Sequence, residues 1–401
     1  MTNSVQRVMV VFGTRPEAIK VAPLIAALRC DPRFELTVVA SGQHKEMVEP
    51  ILAWFDIVPD YTLDVMEPGQ PLARLSGKVL EGLHGIMEHD QPDVVVVQGD
   101  TTTAFMAALC AYYGYDYFVR KNLGDGLGRR HHIKVAHVEA GLRTGNLYAP
   151  FPEEANRRLI APLAHWHFAP TSTAAQALFD ENLTGHVHIT GNTVVDALLD
   201  TRQRLTLTPR ALPAGLMKDD KFVLVTGHRR ENYGEGFKHI CHAIATLATR
   251  FEDTKFVYPV HLNRHVQGPV HELLGGIPNV ILTDPADYPD FVNLMMHCHL
   301  LLTDSGGLQE EGPALGKPVL VMRDLTERPE GVVAGTAKLV GTTEEKIVSS
   351  VAELLENKEV YAKMARAVNP YGDGHATRRI LDVLAGNLEA DITFEPAISA
   401  A

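Results

Sequence analysis

The feature that most constrains this chain is an alternation that runs from end to end. Short runs of β-branched and aliphatic residues are each followed by a glycine-bearing or polar turn and then by a helix-like stretch. Parallel strands cannot be joined by hairpins and need a crossover of a dozen or more residues, usually a helix, so this pattern confines the chain to parallel α/β architecture. Strands are expected at 7–12, 36–40, 93–98, 133–138 and 165–169 in the first half, and at 222–226, 255–260, 280–283, 300–303 and 318–322 in the second. Two doubly wound sheets follow. The stretch 201–221, with Pro209, Pro213 and Gly215, marks the boundary. A length of 401 residues fits two or three domains. The expected division is an N-terminal Rossmann-like domain at 1–195 and a C-terminal one at 196–370, with a helix at about 371–390, apolar at Ile380, Leu381, Val383 and Leu384, rejoining the first. One connection is too long for an α/β unit: after a helix at 101–113 comes a long loop at 114–132, carrying Gly114, Gly124, Gly126 and Gly128, which is a functional lid, an interface element or a mobile excursion.

Composition narrows the function. Apolar residues make up 45% and charged residues 21%, ordinary for a globular chain and far from disorder. Lys plus Arg number 37 against 49 Asp plus Glu, a formal charge of −12, which excludes a generally basic surface for nucleic acid or anionic lipid. Any anion must be held by a local cluster. Cys30, Cys110, Cys241 and Cys298 are scattered, which fits a reduced, cytoplasmic setting, and no run approaches the roughly 18 apolar residues of a membrane span. The paired histidines at 131–132, 165/167, 186/188 and 297/299 lack the Cys partners and spacing of a zinc site, and no Gly-x-Ser-x-Gly elbow is present. Neither a metal nor a covalent Ser or Cys nucleophile is expected.

Ligands of open parallel sheets bind beyond the carboxyl ends of strands, so the residues that follow each strand carry the argument. After the first strand, Gly13-Thr14-Arg15-Pro16-Glu17-Ala18-Ile19-Lys20 sets two cations near a helix start, an anion site or an ordinary solvated first turn. After the third, Gly99-Asp100-Thr101 places Asp100 where it can cap the next helix. Glu139, in His137-Val138-Glu139-Ala140-Gly141-Leu142-Arg143, ends a buried strand, where a carboxylate needs chemistry or a fixed Arg partner. Glu153 and Glu154 open a helix, for which the dipole alone is reason enough. Carboxylates on neighbouring strand ends can serve as general acid and base on opposite faces of a substrate. In the second half, Gly227-His228-Arg229-Arg230 makes a cationic clamp, Asp304-Ser305-Gly306-Gly307 lets backbone approach a phosphate, and Glu311 can accept a ribose diol. Arg323 and Arg328 extend the cationic wall.

These motifs, in this order from about Val8 to Leu384 and ending on Asn369-Pro370-Tyr371-Gly372-Asp373-Gly374, resemble those of the non-hydrolysing UDP-N-acetylglucosamine 2-epimerases. The resemblance implies an α/β, glycosyltransferase-B-like fold of two Rossmann-like doubly wound domains facing across a cleft, with no nicotinamide cofactor and no required metal. It implies a cytoplasmic homodimer that interconverts UDP-N-acetylglucosamine and UDP-N-acetylmannosamine for polysaccharide biosynthesis, by anti elimination of UDP to 2-acetamidoglucal and re-addition. Positions matching the family's catalytic residues are Asp100, Glu139, Glu153 and His228, and those matching its UDP-binding residues are Arg15, Lys20, His228, Phe291, Ser305, Gly306, Gly307, Glu311 and Arg328. Gln43, Glu153, Arg229 and His261 match positions implicated in activation by a second UDP-N-acetylglucosamine. Glu46 stands where a Gln is common and Gly69 where some relatives carry Arg, changes that weaken binding of a diphosphate. The segment 114–132 stands as an insertion against such relatives. The rival readings are a hydrolysing 2-epimerase, an epimerase of another UDP-2-acetamido sugar, a transferase of the same fold and a non-catalytic nucleotide-sugar sensor. The Glu-x7-Glu spacing common in one transferase group is absent from 304–330.

Overall fold

The computed structural model describes residues 5–125, 132–183, 186–387 and 393–396. The chain divides into two compact units, one formed by Met1–Ala197 with Gly372–Glu395 and the other by Leu198–Tyr371 with Pro396, so the first division falls inside the helix Thr193–Leu207. In the first unit the strands are β1 (Gln6–Phe12), β2 (Phe34–Ala40), β3 (Tyr61–Thr62), β4 (Val94–Gln98), β5 (Lys134–Val138), β6 (Trp166–Ala169) and β7 (Val187–Ile189). They form a seven-stranded parallel sheet in the order β3-β2-β1-β4-β5-β6-β7. In the second unit β8 (Phe222–Thr226), β9 (Lys255–Pro259), β10 (Val280–Thr283), β11 (Leu300–Thr303), β12 (Val319–Val321) and β13 (Ala337–Leu339) form a six-stranded parallel sheet in the order β10-β9-β8-β11-β12-β13.

Each sheet has the reversal of a doubly wound fold. The chain winds outward from β1 to β3, returns beside β1 with β4 and winds the other way, and the second unit repeats this about β8 and β11. Helices cover both faces, which is why the central strands β4 and β11 are buried throughout and apolar up to their last residues, Gln98 and Thr303. Met9, Val11, Val95 and Val97 pack on one face with the helix residues Val79, Leu83, Ala104 and Ala108. In the second unit Val223, Val225, Leu300 and Leu302 pack with Phe237, Ile244, Ile347 and Val351. Within the first unit the helix Ala376–Leu384 packs against the helix Arg15–Cys30, and its first N–H groups, of Ala376 and Thr377, donate to the buried Asp196 carboxylate at 3.3 and 2.8 Å.

The structure corrects the expected loop after 113. The helix that starts at Thr102 runs through Gly114 and on to Asp125. One mid-helix glycine costs about 1 kcal/mol, and no proline or second glycine follows until Gly124, so the helix propagates. The rest of the expected insertion, 126–131, lies outside the described residues. No helix among the described residues is long and apolar enough to cross a membrane.

Gly141 shows how tightly the turn after β5 is built. Its φ is +91°, and a Cβ there would lie 2.1 Å from the Ala174 carbonyl oxygen. Gly141→Ala combines left-handed strain with a clash against backbone, and about 3 kcal/mol of destabilisation is expected. Urea unfolding measures it, and an unchanged midpoint would refute this account of the turn.

Candidate functional site

Where strand order reverses, the loops leaving adjacent strands diverge to opposite faces and leave a crevice. In the first unit this occurs between β1 and β4, so the loops concerned are Gly13-Thr14-Arg15 and Gly99-Asp100-Thr101. One buried carboxylate pins them together. Glu17 Oε2 accepts the N–H groups of Gly13 and Thr14 at 3.0 and 2.7 Å and the Thr14 hydroxyl at 2.8 Å, while Oε1 accepts the Thr101 hydroxyl at 2.6 Å. Thr14 and Glu17 thereby form the capping box of the helix Arg15–Cys30. Burial pushes the Glu17 carboxyl above its ordinary value, opposed by these bonds. Close approach dictates Gly13, since a Cβ there would lie 2.2 Å from Ser41 Oγ and 2.4 Å from Thr103 Oγ1. The Thr103 hydroxyl donates to Gln43 Oε1 at 2.8 Å.

β5 delivers Glu139, which is 7% exposed and sits at φ +63°, a left-handed conformation that costs a non-glycine residue about 1–3 kcal/mol. Its burial is made tolerable by pairing. Lys20 and the Gln98 amide both bind Oε2, and the Asn192 amide donates to Oε1 at 3.3 Å. The partner is thus a lysine rather than an arginine, and Lys20, expected on the diphosphate, is engaged by a candidate acid/base. Beside it His137 donates from Nε2 to the Gly99 carbonyl at 2.7 Å, and burial lowers its pKa to about 4, so the ring is neutral at physiological pH.

Asp100 does not cap the following helix. That helix begins at Thr102, and the Thr101 hydroxyl takes the capping position by accepting the Ala104 N–H at 3.0 Å. The Asp100 carboxylate instead meets Arg157, with Oδ2 2.8 Å from Nε and 2.6 Å from Nη2, and the Asp100 carbonyl accepts the Asn156 amide at 2.8 Å. Glu154, fully buried, accepts the N–H groups of Thr144 and Gly145 at 3.0 and 3.2 Å and lies 3.3 Å from Arg157. Burial raises its carboxyl, yet those two N–H groups and Arg157 outweigh it and hold the group below its ordinary value. Its neighbour Glu153 differs: among the described residues, Glu153 Oε2 is buried with no hydrogen-bond partner.

The second unit repeats the scheme between β8 and β11. Asp304, fully buried, accepts on Oδ2 the N–H groups of His228 and Arg229, both at 2.8 Å, and the Asn232 amide at 3.3 Å. Arg229 Nε returns to the Asp304 carbonyl at 3.1 Å. The rings of His228 and His261 stack with centroids 5.3 Å apart. Ser305 donates its N–H to Thr303 Oγ1 at 2.9 Å, a Cβ on Gly306 would stand 3.5 Å from Arg229 Nη2, and the Gly307 carbonyl accepts the Glu311 N–H at 3.1 Å. Phe291 lies half-buried on the helix Tyr288–His297. The expected cationic wall is in part an internal framework. Arg323, 8% exposed, bonds Glu231 at 2.6 Å and Glu327 at 2.9 Å, and Arg328 is ion-paired with the buried Glu310. Against the effect of burial, Arg323 and then Arg229 hold Glu327 down to about 2. Guanidinium groups this enclosed are costly unless paired.

Of the sequence-predicted residues, Arg15, Asp100, His228, Arg229, Ser305, Gly306 and Gly307 therefore lie where the chain leaves the reversal strands and Lys20 and Glu311 on the helices that follow, while Gln43, Glu139, Glu153, His261, Phe291 and Arg328 come from their flanks. Reading the sequence missed Glu17 as the tie of its own loop, Asp304 as the tie of the His228-Arg229 backbone, and Gln98, Asn192, Arg157 and Glu310 as partners. A buried carboxylate within a few residues of a strand end was the available signal for Glu17 and Asp304.

Fold and strand-end groups together define a two-unit α/β protein of the glycosyltransferase-B-like class. Residues 26–115 and 124–385 match the family model described as UDP-N-acetylglucosamine 2-epimerase, and the chain belongs to that family. The interruption at 116–123 falls within the segment expected as an insertion. The chain is 52% identical to the UDP-N-acetylglucosamine 2-epimerase of Escherichia coli strain K12 over 388 residues, 95% of this chain and 99% of that protein. The crystal structure of the Neisseria meningitidis UDP-GlcNAc 2-epimerase bound to UDP-GlcNAc is 45% identical, with a TM-score of 0.84 over 95% of this chain and all of that one. The glycotransferase of kitacinnamycin, 14% identical with a TM-score of 0.63 over 96% of this chain and 100% of that one, shares the fold alone.

The buried histidines of the first unit make its stability acid-sensitive. His137 and His167 are register partners on β5 and β6, and burial lowers them to about 4 and about 3. Unfolded histidine titrates near 6.5. Both therefore contribute stability that is complete above that value and is lost as pH falls from it toward about 4 for His137 and about 3 for His167, because the unfolded chain takes up protons that the folded rings refuse. Each ring contributes a slope of at most about 1.4 kcal/mol per pH unit. Urea midpoints are expected to fall between pH 7 and pH 5, and His167→Phe to flatten the fall; a pH-independent midpoint would contradict this.

Proposed function

We propose that this chain interconverts UDP-N-acetylglucosamine and UDP-N-acetylmannosamine without hydrolysis, by anti elimination of UDP to 2-acetamidoglucal followed by re-addition of UDP. The observation that carries the reading is the grouping of carboxylates around Gly99-Asp100. Glu139 Oε2 would lie 3.9 Å from a Cβ on Gly99, the helix bearing Glu153 is bonded to Asp100 through Asn156 and Arg157, and Glu153 Oε2 is buried without a partner among the described residues.

The C2 proton of the sugar is not next to a carbonyl, so it is poorly acidic, and its removal must accompany cleavage of the anomeric C–O bond. In the forward step a carboxylate takes the proton from C2, the electron pair forms the C1–C2 double bond, and the C1–O pair departs with UDP. In the return step UDP re-adds at C1 and a carboxylic acid delivers a proton to the opposite face of C2. Asp100, Glu139 and Glu153 are assigned to these proton transfers. Arg15, His228 and the Ser305-Gly306-Gly307 turn are assigned to the diphosphate, where charge develops as the bond breaks. Lys20, Phe291, Glu311 and Arg328 complete the UDP contacts, Glu311 as acceptor for the ribose diol. The chain's membership of the family supports this assignment, as does the UDP-GlcNAc bound by its Neisseria meningitidis relative. Resemblance to the family also supports a cytoplasmic homodimer.

Proton NMR of the protein with UDP-N-acetylglucosamine in deuterated buffer tests this directly. Expected are UDP-N-acetylmannosamine and recovered UDP-N-acetylglucosamine, both labelled at C2. Free N-acetylmannosamine would mean hydrolysis instead, and no change would mean a transferase or a sensor. Asp100→Asn, Glu139→Gln and Glu153→Gln are each expected to slow the exchange by about 10²-fold or more, and full exchange in all three would overturn the acid/base assignment.

A further inference from the structure

The segment Asn369-Pro370-Tyr371 closes a ring of bonds around Arg328. Tyr371 is 2% exposed, and its hydroxyl donates to the Arg328 carbonyl at 2.9 Å while accepting the Gly331 N–H at 2.8 Å. Asn369 donates from Nδ2 to the Glu310 carbonyl at 3.1 Å and accepts the Tyr371 N–H on Oδ1 at 3.1 Å. Glu310 is in turn the ion-pair partner of the Arg328 guanidinium. The cation and its counter-ion are thus joined through their side chains, and the backbones of both are held by one three-residue segment.

Packing alone does not call for this arrangement. An apolar ring would fill the same space, whereas a buried hydroxyl has to find partners and this one finds both a donor and an acceptor. Burial pushes the phenol well above its ordinary value, so it stays a donor across the working range of pH. Backbone comes close enough at Gly331 that a Cβ there would lie 3.1 Å from the Tyr371 hydroxyl. Glu310 also directly precedes Glu311 and lies one turn after Gly306-Gly307, and its N–H donates to the Gly307 carbonyl at 2.9 Å.

We propose that Tyr371, with Asn369, is a positioning residue for nucleotide binding: its hydroxyl fixes the Arg328 backbone, and through Glu310 the segment sets both the guanidinium and the Gly306–Glu311 turn for the diphosphate. This rests on the reading that Arg328 binds UDP. Tyr371 touches no substrate in this scheme and acts through Arg328.

Calorimetric titration of UDP into the full chain, together with steady-state kinetics, tests the proposal. Loss of one buried hydrogen bond that aligns a binding group is expected to weaken UDP about five- to tenfold in Tyr371→Phe. KM should rise more than kcat falls, and the circular dichroism should be unchanged. Asn369→Ala is expected to act in the same direction, and it carries the test if Tyr371→Phe does not fold. In an Arg328→Ala background, Tyr371→Phe should weaken UDP by less than about twofold further, because positions that act through one another are not additive. The same weakening in both backgrounds would overturn the proposal in favour of general loosening, as would a Tyr371→Phe variant that binds UDP like the unsubstituted chain. An unsubstituted chain that does not bind UDP at all would overturn the functional reading and the proposal with it.

Discussion

A buried carboxylate at the point of strand reversal is the interaction on which the rest of each unit's site depends. Loops that leave adjacent parallel strands carry N–H groups that no ladder satisfies, and burying them unpaired costs about 1–3 kcal/mol apiece. Glu17 accepts two such groups and two hydroxyls in the first unit, and Asp304 accepts two and an amide in the second. Charge-assisted bonds of this kind are roughly twice as strong as neutral ones and oppose the desolvation of the carboxylate, which at Glu17 still prevails. Their residue types differ because they arrive from different places: Glu17 reaches back from the first turn of a helix, while Asp304 follows directly on β11 and needs a shorter side chain.

Pairing also changes the meaning of the cations. Lys20 bonds Glu139, Arg157 bridges Asp100 and Glu154, Arg323 joins Glu231 and Glu327, and Arg328 meets Glu310. Each residue is written into a motif as a charge, and each charge has a carboxylate to answer it. In each unit these cations are accordingly less a bare cationic surface than a set of matched pairs. A dianionic ligand would have to compete with carboxylates already in place, so the positions of those pairs matter as much as the number of cations. The proposed role of Tyr371 follows the same logic, since a paired guanidinium is useful only where its backbone is held.

How much could be read in advance depended on whether a feature is local. The central strands β1, β4, β8 and β11 were legible because burial on both faces writes itself as a run of at least three consecutive apolar residues. Of the four edge strands β10 was legible too, but β3, β7 and β13 were not. Each is two or three residues long and exists because a neighbour offers a ladder, as Val39 does to Tyr61, Phe168 to His188 and Val321 to Leu339. Missing β7 also hid Asn192, which follows it and bonds Glu139. Reading 114 as the start of a loop weighed one glycine above the helix-forming residues around it.

By itself the sequence determined two doubly wound halves, the strand ends at which polar chemistry collects and the residue types gathered there. All three follow from periodicity and from short-range chemistry around turns. Tertiary structure alone decided which charges neutralise one another. Lys20 and Glu139 stand 119 residues apart, Asp100 and Arg157 57, and the Asn369 bond to Glu310 spans 59. Pairing over such distances is a property of strand order and register, and these are set only when the sheets assemble.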